Sequence, residues 1–134
     1  MDEIFLSGRL SDAVCVLVSD EDQLVVEELI AGMDADGNLV AAVEHNDYED
    51  ERYNSVSYLT VSREDAEALA REWGVTVREL PEEIYDSMEQ WRETANPTLS
   101  QVRDCFKAVY DLLLDAGCHI RISRIAGHKG YTPC

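Results

Sequence analysis

The segment EHNDYEDERYN, residues 44–54, concentrates side chains that could bind a cation. Five of its eleven residues are acidic, and His45 lies among them. Carboxylates and imidazole are competent metal ligands, but a specific site needs them at fixed positions on a rigid element. No such spacing is present, and the segment has the character of a connection between two strands. We therefore predict an exposed acidic segment here and no specific metal site.

Four other motifs lack a group or a geometry that their chemistry requires. The sequence MDADGNL resembles the start of a calcium loop, but with Gly37 at the sixth position the key ligand positions fall on Gly32 and Val43. Cys118 and His119 are neighbours, and on a strand they would point to opposite faces, so they cannot pair as nucleophile and base.

The segment GHKGY, residues 127–131, lacks the Ser or Thr that follows the lysine of a phosphate-binding loop. Cys118, His128 and Cys134 would need a fourth ligand to form a zinc site. We accordingly predict no catalytic residues, no metal and no cofactor, and a non-enzymatic role is favoured over an enzymatic one.

The net charge of −17 is the most unusual property of the chain. Residues 1–61 hold fifteen acidic residues against Arg9 and Arg52, which gives this half a net charge of −13. Such a charge repels nucleic acids and anionic membranes and accelerates encounters with basic partners. A general adaptation for solubility would produce the same composition, so charge alone does not identify a function.

The leading functional hypothesis is a non-enzymatic acidic interaction domain that binds a basic protein surface. Its sharper form is a nucleic-acid-mimicking inhibitor, because carboxylates on alternate residues of an extended chain are spaced like a charge ladder. A regulatory subunit is the softer form, and a small enzyme or ligand-binding domain with a pocket between sheet and helices is the alternative. The predicted partner-binding residues are Asp20, Glu21, Asp22, Glu44, Asp47, Glu49, Asp50 and Glu51.

The four cysteines form no CxxC pair, and the opening MDEIFLSGRL does not have the pattern of a secretory signal. No segment approaches the roughly 20 apolar residues that a membrane-spanning helix needs. We therefore expect a cytoplasmic protein with reduced thiols. The oligomeric state cannot be predicted from these features.

The length of 134 residues favours a single globular domain over residues 1–134, and an apolar share of 46% is sufficient for a core. Apolar and alternating patterns predict a buried strand at 13–19 and further strands at 55–61, 75–80 and 119–125. Asp36-Gly37 predicts a hairpin between strands 24–33 and 39–45, although residues 20–32 also fit a helical pattern. In the last strand, Ile120 and Ile122 are predicted to face inward.

Three helices are predicted. The first begins after the capping residue Ser62 and ends at Gly74, and the second begins near Pro81. The third covers residues 98–116 and begins at a capping box of Thr98 and Gln101. Its predicted buried residues are Leu99, Val102, Phe106, Val109 and Leu113. The expected class is α+β, with a mainly antiparallel sheet of about five to six strands and about three helices packed on one face.

Overall fold

The computed structural model describes residues 8–126, which form one five-stranded antiparallel sheet and three α-helices. Neighbouring strands in the sheet are also neighbours in the sequence, so the order is simply one to five. The strands are Ser11–Val18 (β1), Val25–Met33 (β2), Leu39–Asp47 (β3), Ser55–Val61 (β4) and Ile120–Ala126 (β5). The helices are Arg63–Trp73 (α1), Leu80–Ser87 (α2) and Leu99–Asp115 (α3), with short 3₁₀ turns at Glu51–Tyr53, Val77–Glu79 and Glu89–Glu93.

The hairpin between β2 and β3 forms where the sequence predicts it. Gly37 has a φ of +85°, a conformation that L side chains rarely adopt, and its N–H donates to the carbonyl of Asp34 over 3.1 Å. The carboxylate of Asp34 also accepts the backbone N–H of Asn38 over 2.9 Å. The strand interpretation of residues 25–33 is therefore confirmed over the helical one.

The helix termini follow the capping signals of the sequence. The hydroxyl of Ser62 accepts the N–H of Asp65 at the start of α1, and Gly74 ends that helix in the left-handed conformation. At α3, Thr98 accepts the N–H of Gln101 over 3.1 Å, while the Gln101 side chain accepts the N–H of Thr98 over 2.7 Å. These local bonds fix where each helix begins.

All three helices pack on one face of the sheet, where they enclose the main core. The predicted α+β class is confirmed, and α3 lies mainly across β2 and β3. Fully buried side chains of the core include Leu29, Leu39, Leu59, Leu69, Leu80, Ile84, Val102, Val109 and Leu113. The opposite sheet face carries a smaller apolar cluster of Ile30, Ala42 and Val56, with Leu10 and Tyr58 packed against it.

The strand predicted at residues 75–80 is absent from the described structure, because this segment is a 3₁₀ turn that leads into α2. The carboxylate of Glu79 accepts the backbone N–H of Thr76 over 2.8 Å, and the N–H of Glu79 donates to the carbonyl of Thr76. These local bonds satisfy groups that a strand would pair across a sheet. Pro81 is compatible with a helix start but provides no N–H for a ladder.

Three burial predictions require correction. The first strand, β1, is an edge strand with Cys15 exposed and Val16 buried, and it is not buried throughout. Ile120 and Ile122 lie on the helix-facing side of the sheet as predicted, but Ile122 is 58% exposed, because α3 lies mainly over β2 and β3 and contacts β5 less. Leu99 and Phe106 are only partly buried, whereas Val102, Val109 and Leu113 are buried as predicted.

Candidate functional site

The two acidic segments of the sequence meet at one end of the sheet, the end where β2 begins and β3 finishes. The N–H of Tyr48 donates to the carbonyl of Leu24 over 2.9 Å, which joins the β1–β2 loop to the β3–β4 connection. The ladder places Val25 directly opposite Asp47. We call residues 20–24 together with residues 47–53 the acidic end.

Two carboxylates of the acidic end shape its backbone. Asp47 accepts the N–H groups of Glu49 and Asp50, each over 3.0 Å. Asp50 caps the 3₁₀ turn by accepting the N–H of Arg52 and also pairs with the Arg52 guanidinium at 2.7 Å. These carboxylates therefore have structural partners already, and they are less free to bind another protein.

The remaining predicted partner-binding residues occupy different environments. Glu21, Asp22, Glu49 and Glu51 are exposed. Asp20 is half-buried and accepts the N–H of Asp22 and the side-chain amide of Gln23. Glu44 is buried on the sheet face opposite the helices, so it lies outside the exposed acidic surface.

Exposed apolar side chains accompany these carboxylates. Leu24 is 60% exposed, Tyr48 69% and Tyr53 50%, and all three belong to the acidic end. Sequence reasoning did not single them out, although Leu24 stands next to an acidic turn and both tyrosines lie within the acidic segment. Large apolar side chains in such loops are unusual, because connections are typically rich in small and polar residues.

A groove of about 480 Å³ opens beside Leu24. Leu24, Val25, Pro97 and Leu99 supply apolar groups to its lining, and Asp20 contributes a carboxylate. The N–H of Asp20 donates to the carbonyl of Pro97 over 3.0 Å, which ties the loop to the segment before α3. The groove therefore combines apolar walls with a negative charge.

A separate cleft of about 490 Å³ lies between α3 and strands β2 to β5. Its most distinctive feature is Glu27, a carboxylate only 2% exposed. Arg103 on α3 donates to Glu27 through Nη2 over 2.7 Å and through Nε over 2.9 Å, and His45 Nδ1 lies 2.6 Å from the same carboxylate. These three residues form what we call the Glu27 network.

The electrostatics of Glu27 follow from these contacts. Burial by itself raises the pKa of the Glu27 carboxyl, but the hydrogen bonds from His45 and Arg103 outweigh it and hold the pKa below the ordinary value of 4.5. The same contact raises the pKa of Arg103. Glu27 is therefore an ionised carboxylate whose charge is balanced inside the cleft.

Sequence analysis did not identify the Glu27 network, although one signal was present. Glu27 and Glu28 are adjacent on a strand, and adjacent side chains point to opposite faces. One of them must therefore point toward the helices. Nothing in the sequence indicates which partner would meet it, because Arg103 lies 76 residues away.

The remaining sequence predictions concern metals, membranes and thiols. Within residues 8–126, no group of three or more His, Cys, Asp or Glu side chains is arranged to hold a metal ion, and no helix there is long and apolar enough to cross a membrane. Cys15, Cys105 and Cys118 are free thiols. His128, Lys129 and Cys134 lie outside the described residues.

Comparison with known proteins gave no relative: no protein-family model, no curated protein and no solved structure matches this chain.

Proposed function

We propose that this protein is a non-enzymatic interaction domain whose acidic end binds a basic surface of another protein. The observation that carries the proposal is the exposure of Leu24, Tyr48 and Tyr53 among the carboxylates of two adjoining loops. Protein interfaces combine a few aromatic or apolar anchors with a polar rim. An acidic surface adapted only for solubility would not need such anchors.

The groove beside Leu24 supports a basic partner in particular. Lysine and arginine side chains place a flexible apolar stem against apolar surface and keep the charged head near polar groups. The walls of Leu24, Pro97 and Leu99 suit such a stem, and the carboxylate of Asp20 suits the charged head. The exposed carboxylates around the groove would steer the partner toward it.

A nucleic-acid-mimicking inhibitor is the sharper form of this proposal. In that case the partner is a nucleic-acid-binding protein, and the acidic end occupies its basic channel. A regulatory subunit would bind a basic surface that has no such role. The two forms differ in whether added nucleic acid competes with this protein for the partner.

The proposal is tested with a variant that neutralises exposed carboxylates and leaves the turn-forming ones intact. The variant carries Glu21→Gln, Asp22→Asn, Glu49→Gln and Glu51→Gln. Its matched control removes the same number of charges from exposed positions on the helices: Glu67→Gln, Glu72→Gln, Glu82→Gln and Asp115→Asn. Each protein is used to capture partners from the native host, and binding rates to the captured partner are then measured.

The expected result is that the acidic-end variant associates more slowly while the control retains the wild-type rate, because surface charges act mainly through steering. The difference should shrink with salt, since the Debye length falls from about 10 Å at 0.1 M to about 3 Å at 1 M. A third variant, Tyr48→Ala, should mainly accelerate dissociation. Equal binding by wild type, acidic-end variant and Tyr48→Ala would refute the proposal.

A further inference from the structure

The cleft beside the Glu27 network has a defined floor and roof. Two rows of side chains on the helix-facing side of the sheet form the floor. The first row runs across β2 to β4 and consists of Glu27, His45 and Ser55. The second row runs across β3 to β5 and consists of Val43, Ser57 and Arg124. Arg103 and Phe106 of α3 form the roof. The volume of about 490 Å³ lies within the range of small-molecule sites.

The cleft offers more hydrogen-bond donors than its own residues consume. The carboxylate of Glu27 is engaged by Arg103 and His45, so its charge is balanced. In contrast, the Arg124 guanidinium has no hydrogen bond or ion pair to any residue in the described part of the chain. Asn54 uses its side-chain oxygen to accept the N–H of Asp47, so its amide nitrogen remains a donor at the cleft.

The charge of the cleft opposes that of the whole molecule. Among residues 8–126, its lining contains Arg103 and Arg124 but a single carboxylate, Glu27. The cleft is thus locally positive on a chain of net charge −17. A guanidinium on an edge strand suits bidentate pairing with a planar or tetrahedral oxyanion.

The apolar part of the lining limits which anion fits. Phe106 is partly buried, and its presence at the roof together with Val43 at the floor gives the cleft apolar surface on two sides. Inorganic ions cannot use such surface, whereas a ligand with a ring or a short aliphatic chain can. Within residues 8–126 the edge of the sheet at β5 is only partly covered, since Ile122 is 58% exposed, and this side of the cleft offers a route of entry.

We propose that this cleft binds a small organic anion, whose carboxylate or phosphate group pairs with Arg124 and whose apolar portion lies against Phe106 and Val43. The Glu27 network holds Arg103 and His45 in place around this ligand. Of the described residues that line the cleft, Tyr53 alone also belongs to the acidic end, and the proposed ligand contacts do not involve it. The two sites differ in the charge of the ligand that each would bind. Each proposal therefore stands or fails independently of the other.

The ligand class is tested with four probes that separate charge from apolar contact. Benzoate and phenyl phosphate carry a ring and an anionic group, benzamide carries a neutral group of similar shape, and inorganic phosphate lacks the ring. Each is titrated into isotopically labelled full-length protein, and the backbone amide resonances are followed by NMR. We expect benzoate or phenyl phosphate to shift the resonances of Ser57, Phe106 and Arg124, and the tighter of the two identifies the preferred anionic group.

Benzamide and inorganic phosphate should each bind about tenfold more weakly than the preferred probe. Benzamide loses the charge-assisted hydrogen bond, and inorganic phosphate loses the contact of the ring. The proposal is overturned if neither aromatic anion shifts these resonances at concentrations up to about 10 mM, which corresponds to very weak binding. Equal affinity for benzamide would overturn it as well, because charge would then not contribute.

Arg124 is tested against a neighbour on the same strand. Arg124→Gln should weaken binding of the preferred probe about tenfold, whereas Arg121→Gln should leave it unchanged. Both arginines are exposed on β5, but the register pairs Arg121 with Thr60 on the opposite face of the sheet. An equal loss in both variants would indicate nonspecific attraction and overturn the assignment.

A second pair of variants is used if Arg124→Gln does not fold. Arg124→Lys keeps the charge but loses the bidentate geometry, so it should still weaken binding of the preferred probe. Arg121→Lys should leave that binding unchanged.

Discussion

Glu27 on β2 and Arg103 on α3 form a bidentate ion pair that fastens the third helix to the sheet. The guanidinium donates through Nη2 and Nε over 2.7 and 2.9 Å to a carboxylate that is almost completely buried. The same contact holds Arg103 in place at the roof of the cleft. The stability and the proposed ligand binding of the protein therefore share a residue pair.

Removing Arg103 alone should destabilise the protein more than removing both partners. Arg103→Met leaves the buried Glu27 carboxylate with only His45, and we expect a loss of roughly 2–4 kcal/mol in the free energy of unfolding. Adding Glu27→Leu removes the uncompensated charge and should restore most of this loss. Chemical denaturation of the two single variants and the double variant measures the coupling, and strictly additive losses would contradict it.

The Glu27 network should also make stability depend on pH. The pKa of Glu27 is lowered in the folded protein, so its contribution is fully present above the ordinary value of 4.5 and is lost as the pH falls through the folded-state pKa. The difference in unfolding free energy between wild type and Glu27→Gln should thus be largest near about pH 7 and shrink below about pH 4. A difference that stays constant over this range would show that Glu27 does not titrate as described.

Substitutions along α3 should distinguish core residues from residues that form the roof of the cleft. Leu113 is fully buried, and Leu113→Ala should cost about 2–5 kcal/mol of unfolding free energy. Phe106 is only partly buried, so Phe106→Ala should cost less than the roughly 3–5 kcal/mol typical of a buried phenylalanine. Denaturant titration of both variants tests whether Leu113→Ala loses more unfolding free energy than Phe106→Ala. A larger loss for Phe106→Ala would show that Phe106, not Leu113, is the core residue.

The thiols should differ in accessibility. Cys105 is fully buried, and burial raises the pKa of its thiol to about 11, which leaves almost no reactive thiolate at neutral pH. Cys118 is also buried, whereas Cys15 is exposed on the edge strand. Burial and the Glu28 carboxylate also raise the pKa of the Cys15 thiol, to about 12, so thiolate is scarce at all three sites and access of the reagent decides the order. Mass spectrometry after alkylation should therefore find Cys15 modified before Cys105 and Cys118. Denatured, unreduced protein should show four reactive thiols, and fewer would reveal a disulfide.

Removing charge from the acidic end should affect stability in two opposite ways. The Glu21, Asp22, Glu49 and Glu51 variant should be at least as stable as wild type, because like charges are removed from a strongly acidic protein. Asp50→Asn should instead be destabilising, since Asp50 caps the 3₁₀ turn and pairs with Arg52. Thermal unfolding of the two variants distinguishes these effects, and a lower midpoint for the fourfold variant would contradict the first expectation.

Local features of the sequence determined the hairpin and the helix boundaries. Gly37 provides the turn, and the capping pairs at Ser62 and Thr98 fix helix starts within a few residues, so no distant partner is needed. The acidic composition of the protein was also evident from the sequence. The 75–80 segment was mispredicted because Val75 and Val77 favour a strand, whereas the reciprocal bonds of Thr76 and Glu79 favour a turn.

The tertiary structure alone decided which polar groups meet. Glu27, His45, Arg103 and Arg124 lie on four different elements, and only the strand register and the packing of α3 bring them to one cleft. Packing likewise left Ile122 exposed at the sheet edge and placed Glu44 inside. A sequence pattern specifies which face a side chain occupies, but the cover over that face depends on contacts between residues far apart in the chain.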